Sequence, residues 1–129
     1  MRAAFVYLIL LYSLAACNTN PGSTISQDEV PQNGDPARGE AMFNQGKEGA
    51  VPCSSCHNET GVASPDLTGY GAVAGLRVPG ESAHEYTFHS IVEPGRYIVE
   101  GFGSAMPNQY DEVLTPQEIA DLIAYLLTL

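Results

Sequence analysis

The sequence contains little positive charge. Its 129 residues include five Lys and Arg against 15 Asp and Glu, which gives a formal net charge of −10. Binding to nucleic-acid phosphates needs clustered Lys and Arg, so the composition argues against a nucleic-acid partner. The same sign opposes electrostatic docking on anionic lipid. The carboxylates either keep the protein soluble or complement a basic patch on a partner protein, and net charge alone does not separate these two roles.

Tryptophan is absent and cysteine is scarce. The chain has no Trp and three cysteines, which are Cys17, Cys53 and Cys56. Its length allows one domain and leaves no room for a second independent core. By count alone, three cysteines in a short chain suggest one disulfide and a leftover thiol. The position of each cysteine gives a different interpretation.

Residues 1–16 have the layout of a signal peptide. Arg2 precedes an apolar run over residues 3–14, which is too short for an ordinary membrane-spanning helix. The letters LAAC at residues 14–17 resemble the lipobox of bacterial lipoproteins, and this resemblance implies cleavage before Cys17 and acylation of its thiol. We therefore predict a lipoprotein signal peptide over residues 1–16 and a lipid anchor at Cys17. An ordinary cleavable signal peptide and an uncleaved short anchor are the alternatives.

Residues 17–34 are predicted to form a lipid-anchored flexible linker. From Asn18 to Gly34 the sequence is rich in Asn, Pro, Gly, Ser and acidic residues and has no apolar periodicity. Such a composition predicts an extended tether, because it cannot bury enough apolar surface to fold. The folded unit is then predicted over residues 35–129.

Capping signals predict an all-α folded unit with three to four short helices. The dipeptide at residues 35–36, an N-cap Asp before a Pro, predicts a first helix that ends at Gly46. Ser82 and Thr115 each begin a capping box, which predicts a middle helix and a last helix.

The rest of the folded unit is rich in glycine. Residues 61–80 and 95–103 are predicted to be loops, and no segment alternates long enough to predict a strand. A core this small, with long loops and no Trp, is marginal by itself. We therefore expect a bound group to complete it.

Residues 53–57 carry the strongest chemical signal. Cys53-Ser54-Ser55-Cys56-His57 is the Cys-x-x-Cys-His pattern of covalent c-type haem attachment. Cysteines three positions apart place both sulfurs on one side of a turn, where they can add to the two vinyl groups of one haem, and His57 then lies beside the iron. A thioredoxin-like redox pair leaves the histidine unexplained. A zinc site needs a second ligand pair, which the sequence lacks.

Met106 is the candidate for the second axial ligand. It lies in a glycine-rich loop, and a thioether is a soft, neutral ligand that raises the reduction potential of haem iron. Met1 leaves with the signal peptide and Met42 lies on the first predicted helix. His84 and His89, in or beside the middle helix, are the alternative ligands.

The folded unit resembles a class I monohaem cytochrome c. Gly39 and Phe43 on the first helix match the family's Gly-x-x-x-aromatic pattern, and Leu122 and Tyr125 match the partner pattern on the last helix. The resemblance implies that these two helices cross at the glycine. It also implies a helical fold wrapped around one covalent haem.

The loop after the haem motif extends the resemblance. The segment SPDLTG at residues 64–69 matches the family's loop, which implies that the carbonyl of Pro65 accepts a hydrogen bond from His57 and that Leu67 lines the haem. Residues 86–107 resemble the haem-bearing module fused to subunit II of some bacterial terminal oxidases, but the copper-binding domain of that subunit is lacking. Arg96 and Tyr97 are candidates for contact with a haem propionate.

These signals together predict an electron carrier and not an enzyme. The expected protein is a membrane-anchored lipoprotein, exported to the periplasm or to the outer face of the cytoplasmic membrane. One covalent haem c, with its iron between His57 and Met106, transfers single electrons between respiratory or photosynthetic redox partners, with no small-molecule substrate. A fixed haem subunit of a larger membrane redox complex is the alternative, and a haem enzyme or gas sensor with a labile sixth ligand is a further one.

Overall fold

The fold consists of short helices joined by long loops. The computed structural model describes residues 23–58 and 64–129, so the predicted signal peptide and Cys17 lie outside the described residues. The five α-helices of the described ranges are α1 Pro36–Gln45, α2 Tyr70–Val73, α3 Ala83–Val92, α4 Tyr110–Val113 and α5 Pro116–Leu126. None of them has the length and apolar character of a membrane span.

The remaining described elements are small. Single 3-10 turns occupy Gln27–Glu29, Cys53–Ser55 and Ala74–Leu76. Within residues 23–58 and 64–129, one isolated β-bridge between Lys47 and Ala50 is the sole strand-like pairing. The all-α prediction is therefore confirmed.

The predicted caps begin the three longer helices. The Asp35 carboxylate accepts the backbone amides of the first turn of α1, and Gly46, with φ of 63°, ends that helix. Ser82 before α3 and Thr115 before α5 each form the predicted capping box. Such caps satisfy amides that have no partner within the helix, so these boundaries follow from local sequence.

Two short helices depart from the prediction. Helix α2 and the turn Ala74–Leu76 lie inside the predicted loop 61–80, and α4 was not predicted. Neither helix has a side-chain cap. Instead the amide of Gly71 donates to the carbonyl of Leu129 over 3.0 Å, so a contact with the far end of the chain holds α2 in place.

Helices α1 and α5 cross at Gly39, as the resemblance implies. A Cβ atom at Gly39 would lie 2.0 Å from the carbonyl oxygen of Asp121, so only glycine permits this approach. One turn further on, the rings of Phe43 and Tyr125 pack with centroids 5.4 Å apart. The glycine inside α1 costs about 1 kcal/mol of helix propensity, and the close crossing explains its presence.

A buried carboxylate ties the two helices together. Asp121 is 4% exposed and accepts two hydrogen bonds from the Arg38 guanidinium, at 2.7 and 3.0 Å. It also accepts the backbone amide of Asp35 at 2.7 Å. The Arg38 hydrogen bonds lower the pKa of Asp121 to about 2.

The core lies between α1, α3 and α5. Its buried members are Val30, Phe43, Ala50, Phe88, Ile91, Val92, Tyr110, Leu114, Ile119, Ala120, Leu122, Ile123 and Leu126. Most of them come from α3 and α5, so these two helices supply most of the apolar surface against which the rest of the chain packs.

The prediction of a flexible linker is wrong for residues 23–34. Val30 is 3% exposed and belongs to the core. Thr24 donates its amide to the Asp111 carboxylate over 2.7 Å, and a Cβ atom at Gly34 would lie 2.0 Å from the carbonyl oxygen of Ala120. The composition of this segment is polar, but one valine and two specific contacts are enough to fix it on the domain.

Candidate functional site

One cavity is lined by the haem attachment residues, iron ligands and loop residues that the sequence predicts. It has a volume of about 230 Å³, and the loop before α2 and the loop after α3 both contribute to its lining. Six predicted side chains or backbone groups line it, namely Cys53, Cys56, His57, Pro65, Leu67 and Met106. The fold thus brings together residues that lie up to 53 positions apart in the sequence.

The cysteine motif occupies a tight turn on the cavity wall. The amides of Cys56 and His57 both donate to the carbonyl of Cys53, at 3.1 and 2.9 Å, and the Ser55 hydroxyl donates to the carbonyl of Pro52 at 2.6 Å. Both thiols are free. The turn therefore presents two unpaired thiols and one imidazole to the same space.

The ring of His57 is fixed by its neighbour across the loop. Its Nδ1 lies 3.0 Å from the carbonyl oxygen of Pro65, the hydrogen bond that the resemblance implies. A carbonyl can only accept, so Nδ1 carries the proton and Nε2 keeps the lone pair that a metal needs. Bonds of this kind set the tautomer and the orientation of a metal-binding histidine.

The chemistry of the cysteines disagrees with a dithiol redox site. Burial raises the pKa of Cys53 to about 11, so this thiol is protonated at neutral pH, whereas a thioredoxin-like nucleophile needs a lowered pKa. In the part of the chain that the structure describes, no three His, Cys, Asp or Glu side chains are grouped to hold a metal ion, while a structural zinc site takes four ligands.

Met106 is the candidate axial ligand that the fold places at the cavity. Its side chain is half-buried, lines the cavity and packs against the core. Neither His84 nor His89 lines this space. His89 instead lies with its Nδ1 3.3 Å from the Glu81 carboxylate, in a smaller neighbouring cavity. The geometry therefore favours Met106 over both histidines.

Among the described Lys and Arg residues, Arg77 alone lines the cavity and lacks an ion pair. Arg96, the cation singled out from the sequence, pairs with Glu81 at 2.9 Å and with Glu93 at 3.2 Å and stays outside the cavity. Tyr97 does line it. The sequence did not single out Arg77. Cations are so rare in this chain, however, that each of them is a candidate for contact with a haem carboxylate.

Two tyrosines of the cavity wall have their hydroxyl groups held by hydrogen bonds. The Tyr70 hydroxyl lies 2.9 Å from that of Thr87, and the Tyr110 hydroxyl donates to the carbonyl of Val51 at 3.2 Å. Burial raises the pKa of each tyrosine to about 12, so both stay neutral. These two positions of the wall are therefore held by hydrogen bonds and carry no charge.

The cavity fits a haem in composition. Apolar side chains of Phe43, Leu67, Ile91, Leu122 and Leu126 form much of its lining, and these suit the faces of a macrocycle. The two free thiols could attach a haem covalently. The oriented imidazole and the thioether could donate to its iron, and the unpaired guanidinium could bind the haem carboxylates. An imidazole and a thioether are the iron donors of cytochromes c.

The comparisons with known proteins agree with this site. No curated protein matches the sequence closely enough to count as a relative. Residues 34–126 match the family described as cytochrome c oxidase, cbb3-type, subunit III, which covers α1 to α5 and the whole cavity. The chain therefore belongs to this family and contains a class I c-type cytochrome domain, a haem electron-transfer module that implies covalently bound haem c.

Proposed function

We propose that this protein is a membrane-anchored monohaem cytochrome that carries single electrons between redox partners of a respiratory or photosynthetic chain. The observation that carries the proposal is the convergence of Cys53, Cys56, His57 and Met106 on one apolar cavity. When bound, haem supplies a one-electron couple between ferrous and ferric iron. The chain supplies attachment, axial donors and a dry surrounding.

Each residue has a definite part in that arrangement. Cys53 and Cys56 would hold the macrocycle through two thioether bonds, and His57 would offer Nε2 to the iron while Pro65 fixes its ring. Met106 would supply a second, neutral donor to the iron that favours the reduced state. Two protein donors to the iron would leave no ligand position for a substrate, which supports a carrier over an enzyme.

The mouth of the cavity suits brief contact with a partner. Val51, Tyr97 and Ile98 line the cavity and are 51%, 40% and 39% exposed. Cys56 is also exposed, so a haem edge attached to it would be accessible to a partner. A small apolar rim on an otherwise acidic protein favours transient docking, steered by a basic patch on the partner.

A redox titration in the presence of carbon monoxide tests the carrier function. We expect reversible one-electron cycling of the holoprotein and no binding of carbon monoxide to the ferrous form at neutral pH. Immediate carbon monoxide binding would instead support an enzyme or gas sensor with a labile sixth ligand.

The lipid anchor and the cellular location of the protein belong to the same proposal. The lipobox at residues 14–17 supports acylation of Cys17 and placement at the periplasmic or outer face of the cytoplasmic membrane. Inhibition of lipoprotein signal peptidase should block maturation; unchanged maturation would exclude the lipobox.

A fixed subunit of a larger membrane redox complex is the second candidate, and the family match supports it. Mild detergent extraction followed by a native gel separates the two. Migration as a small free haem protein supports the carrier, and comigration with a large haem complex supports the subunit.

A further inference from the structure

The segment that was expected to be a free tether is attached to the domain. We call residues 23–34 the strap. At its start, Thr24 makes two hydrogen bonds to Asp111, from its amide to the carboxylate at 2.7 Å and from its hydroxyl to the backbone carbonyl at 2.9 Å. Asp111 is 8% exposed, and a buried carboxylate without a donor is costly. The Thr24–Asp111 clasp is therefore a specific attachment.

The strap is held at two further points. Val30 is buried in the core, and Gly34 lies so close to Ala120 that no larger side chain fits. Between these points Gln32 and Asn33 are exposed. The strap thus follows the domain surface from α4 to α5.

The clasp lies beside the cysteine side of the cavity. Tyr110, the residue before Asp111, lines the cavity and donates to the carbonyl of Val51, two positions before Cys53. Helix α4 therefore connects the start of the strap with the wall that carries the haem attachment motif.

The clasp shortens the stretch of sequence between the predicted anchor and the first contact with the domain. Seven positions separate Cys17 from Thr24, which reach about 25 Å when fully extended, whereas the eighteen positions from Cys17 to Asp35 would reach about 60 Å. With the clasp closed, a stretch of at most about 25 Å separates the domain from an anchor at Cys17, so the cavity cannot turn far from that anchor.

We propose that the strap is a fixed arm that holds the cysteine side of the haem cavity close to the membrane surface, so that its redox partner is a membrane-bound protein. This inference rests on the lipid anchor of the proposed function. It adds that the anchor restrains the orientation of the domain as well as its location.

Paired insertions test the strap. The same ten-residue Gly-Ser segment is inserted between Thr19 and Asn20, before the clasp, or between Gln32 and Asn33, after it. Each lipidated holoprotein is bound to phosphatidylcholine vesicles that contain a headgroup-labelled fluorescent phosphatidylethanolamine, and quenching of the label by haem is measured. The insertion adds about 35 Å of reach, but only the first site lies between Cys17 and the clasp.

We expect the insertion before the clasp to reduce quenching and the insertion after it to leave quenching unchanged. Both contacts that precede the second insertion must be released, with Thr24→Pro to remove the donating amide and Val30→Ser to loosen the buried contact, and this double variant should make the second insertion as effective as the first. Asp111→Ala together with Val30→Ser should act in the same way, with an unchanged haem spectrum as the check on folding. Equal loss of quenching for both insertions in the parent protein would overturn the proposal.

A failure of the anchor is distinguishable from a failure of the strap. Mass spectrometry of Cys17 and flotation with the vesicles report the anchor directly. An unacylated Cys17 overturns the anchor and with it the membrane part of this inference. Amide exchange at Thr24 reports the clasp in either case, since slow exchange that Asp111→Ala accelerates supports it and fast exchange in the parent protein excludes it.

Discussion

The helix crossing and the cavity wall are two regions built on different principles. At the crossing, α1 and α5 meet directly, with Gly39 against the backbone of Asp121 and Phe43 against Tyr125. Around the cavity, loops and single turns face a space, and their groups point at it from positions far apart in the sequence. At the crossing, protein groups supply all the packing partners. The thiols and iron donors of the cavity wall find their partners only in the cofactor that the family implies.

The two regions should therefore respond differently to substitution. Changes at the crossing should alter unfolding and leave the spectrum of the folded protein intact. Changes at the cavity should alter the cofactor and its potential, and loss of the cofactor should also unfold the loops that face it. Four predictions follow this division, from the largest expected effect to the smallest.

Removal of both attachment thiols should have the largest effect. Cys53→Ser with Cys56→Ser should abolish covalent haem and the cooperative thermal transition, because the remaining core is small. Exchange protection should fall furthest over residues 64–82 and 93–109, with residual helix confined to α1 and α5, as measured by hydrogen exchange and circular dichroism. Ser54→Ala keeps both thiols and serves as the control. Native protection of the loops in the double variant would refute the division.

Gly39→Ala should break the crossing without touching the cavity. The added Cβ would lie 2.0 Å from a backbone oxygen of α5, so we expect a loss of at least about 3 kcal/mol of unfolding free energy in denaturant titrations. Gly95→Ala is the matched control, since its Cβ would meet only the Ser104 hydroxyl at 3.7 Å. An equal effect of the two substitutions would contradict the packing that we describe.

Asp121→Asn should weaken the crossing in a pH-dependent way. The pKa of Asp121 lies near 2 in the folded protein against an ordinary 3.8, so its ionised form stabilises the fold above about pH 4, and this contribution disappears as the pH falls towards 2. The variant should lose about 1–2 kcal/mol at pH 7 and little at pH 2. Urea titrations across this range measure the difference.

The control for Asp121 is an exposed carboxylate. Glu48→Gln should change stability by less than about 0.5 kcal/mol at any of these pH values. A difference between Asp121→Asn and the parent protein that persists undiminished at pH 2 would show that packing, not charge, is responsible.

Arg77→Gln changes the lining of the cavity and should give the smallest of the four effects. Loss of a positive charge near the iron favours the ferric state, so the reduction potential should fall by the equivalent of about 1 kcal/mol. Arg96→Gln removes a cation that is already paired with two glutamates outside the cavity, and its effect should be smaller. Potentiometric titration compares the two variants, and equal shifts would exclude a special role for Arg77.

Local signals predicted the parts of the molecule that local contacts determine. The caps at Asp35, Ser82 and Thr115 placed three helices, because an N-cap and its partner lie within one turn of each other. The cysteine motif predicts an attachment site for the same reason, since its spacing is fixed by one turn of chain.

The features that the sequence did not predict depend on contacts between residues that are far apart in the chain. Helix α2 is held by the carbonyl of Leu129, and the strap by Asp111, which lies 87 positions after Thr24. No pattern within either segment indicates such a partner. Arg77 likewise becomes notable only once the fold shows which cations have partners and which one faces the cavity.

The prediction that Met106 is an iron ligand tests the proposed electron carrier most directly. Met106 lines the cavity, whereas Met42, also half-buried against the core, does not. The oxidised parent protein should show a methionine-to-iron charge-transfer band, which Met106→Ala abolishes and Met42→Ala preserves. If the band is absent from the parent protein, or survives in Met106→Ala, Met106 is not the axial ligand and the six-coordinate electron carrier proposed here is wrong.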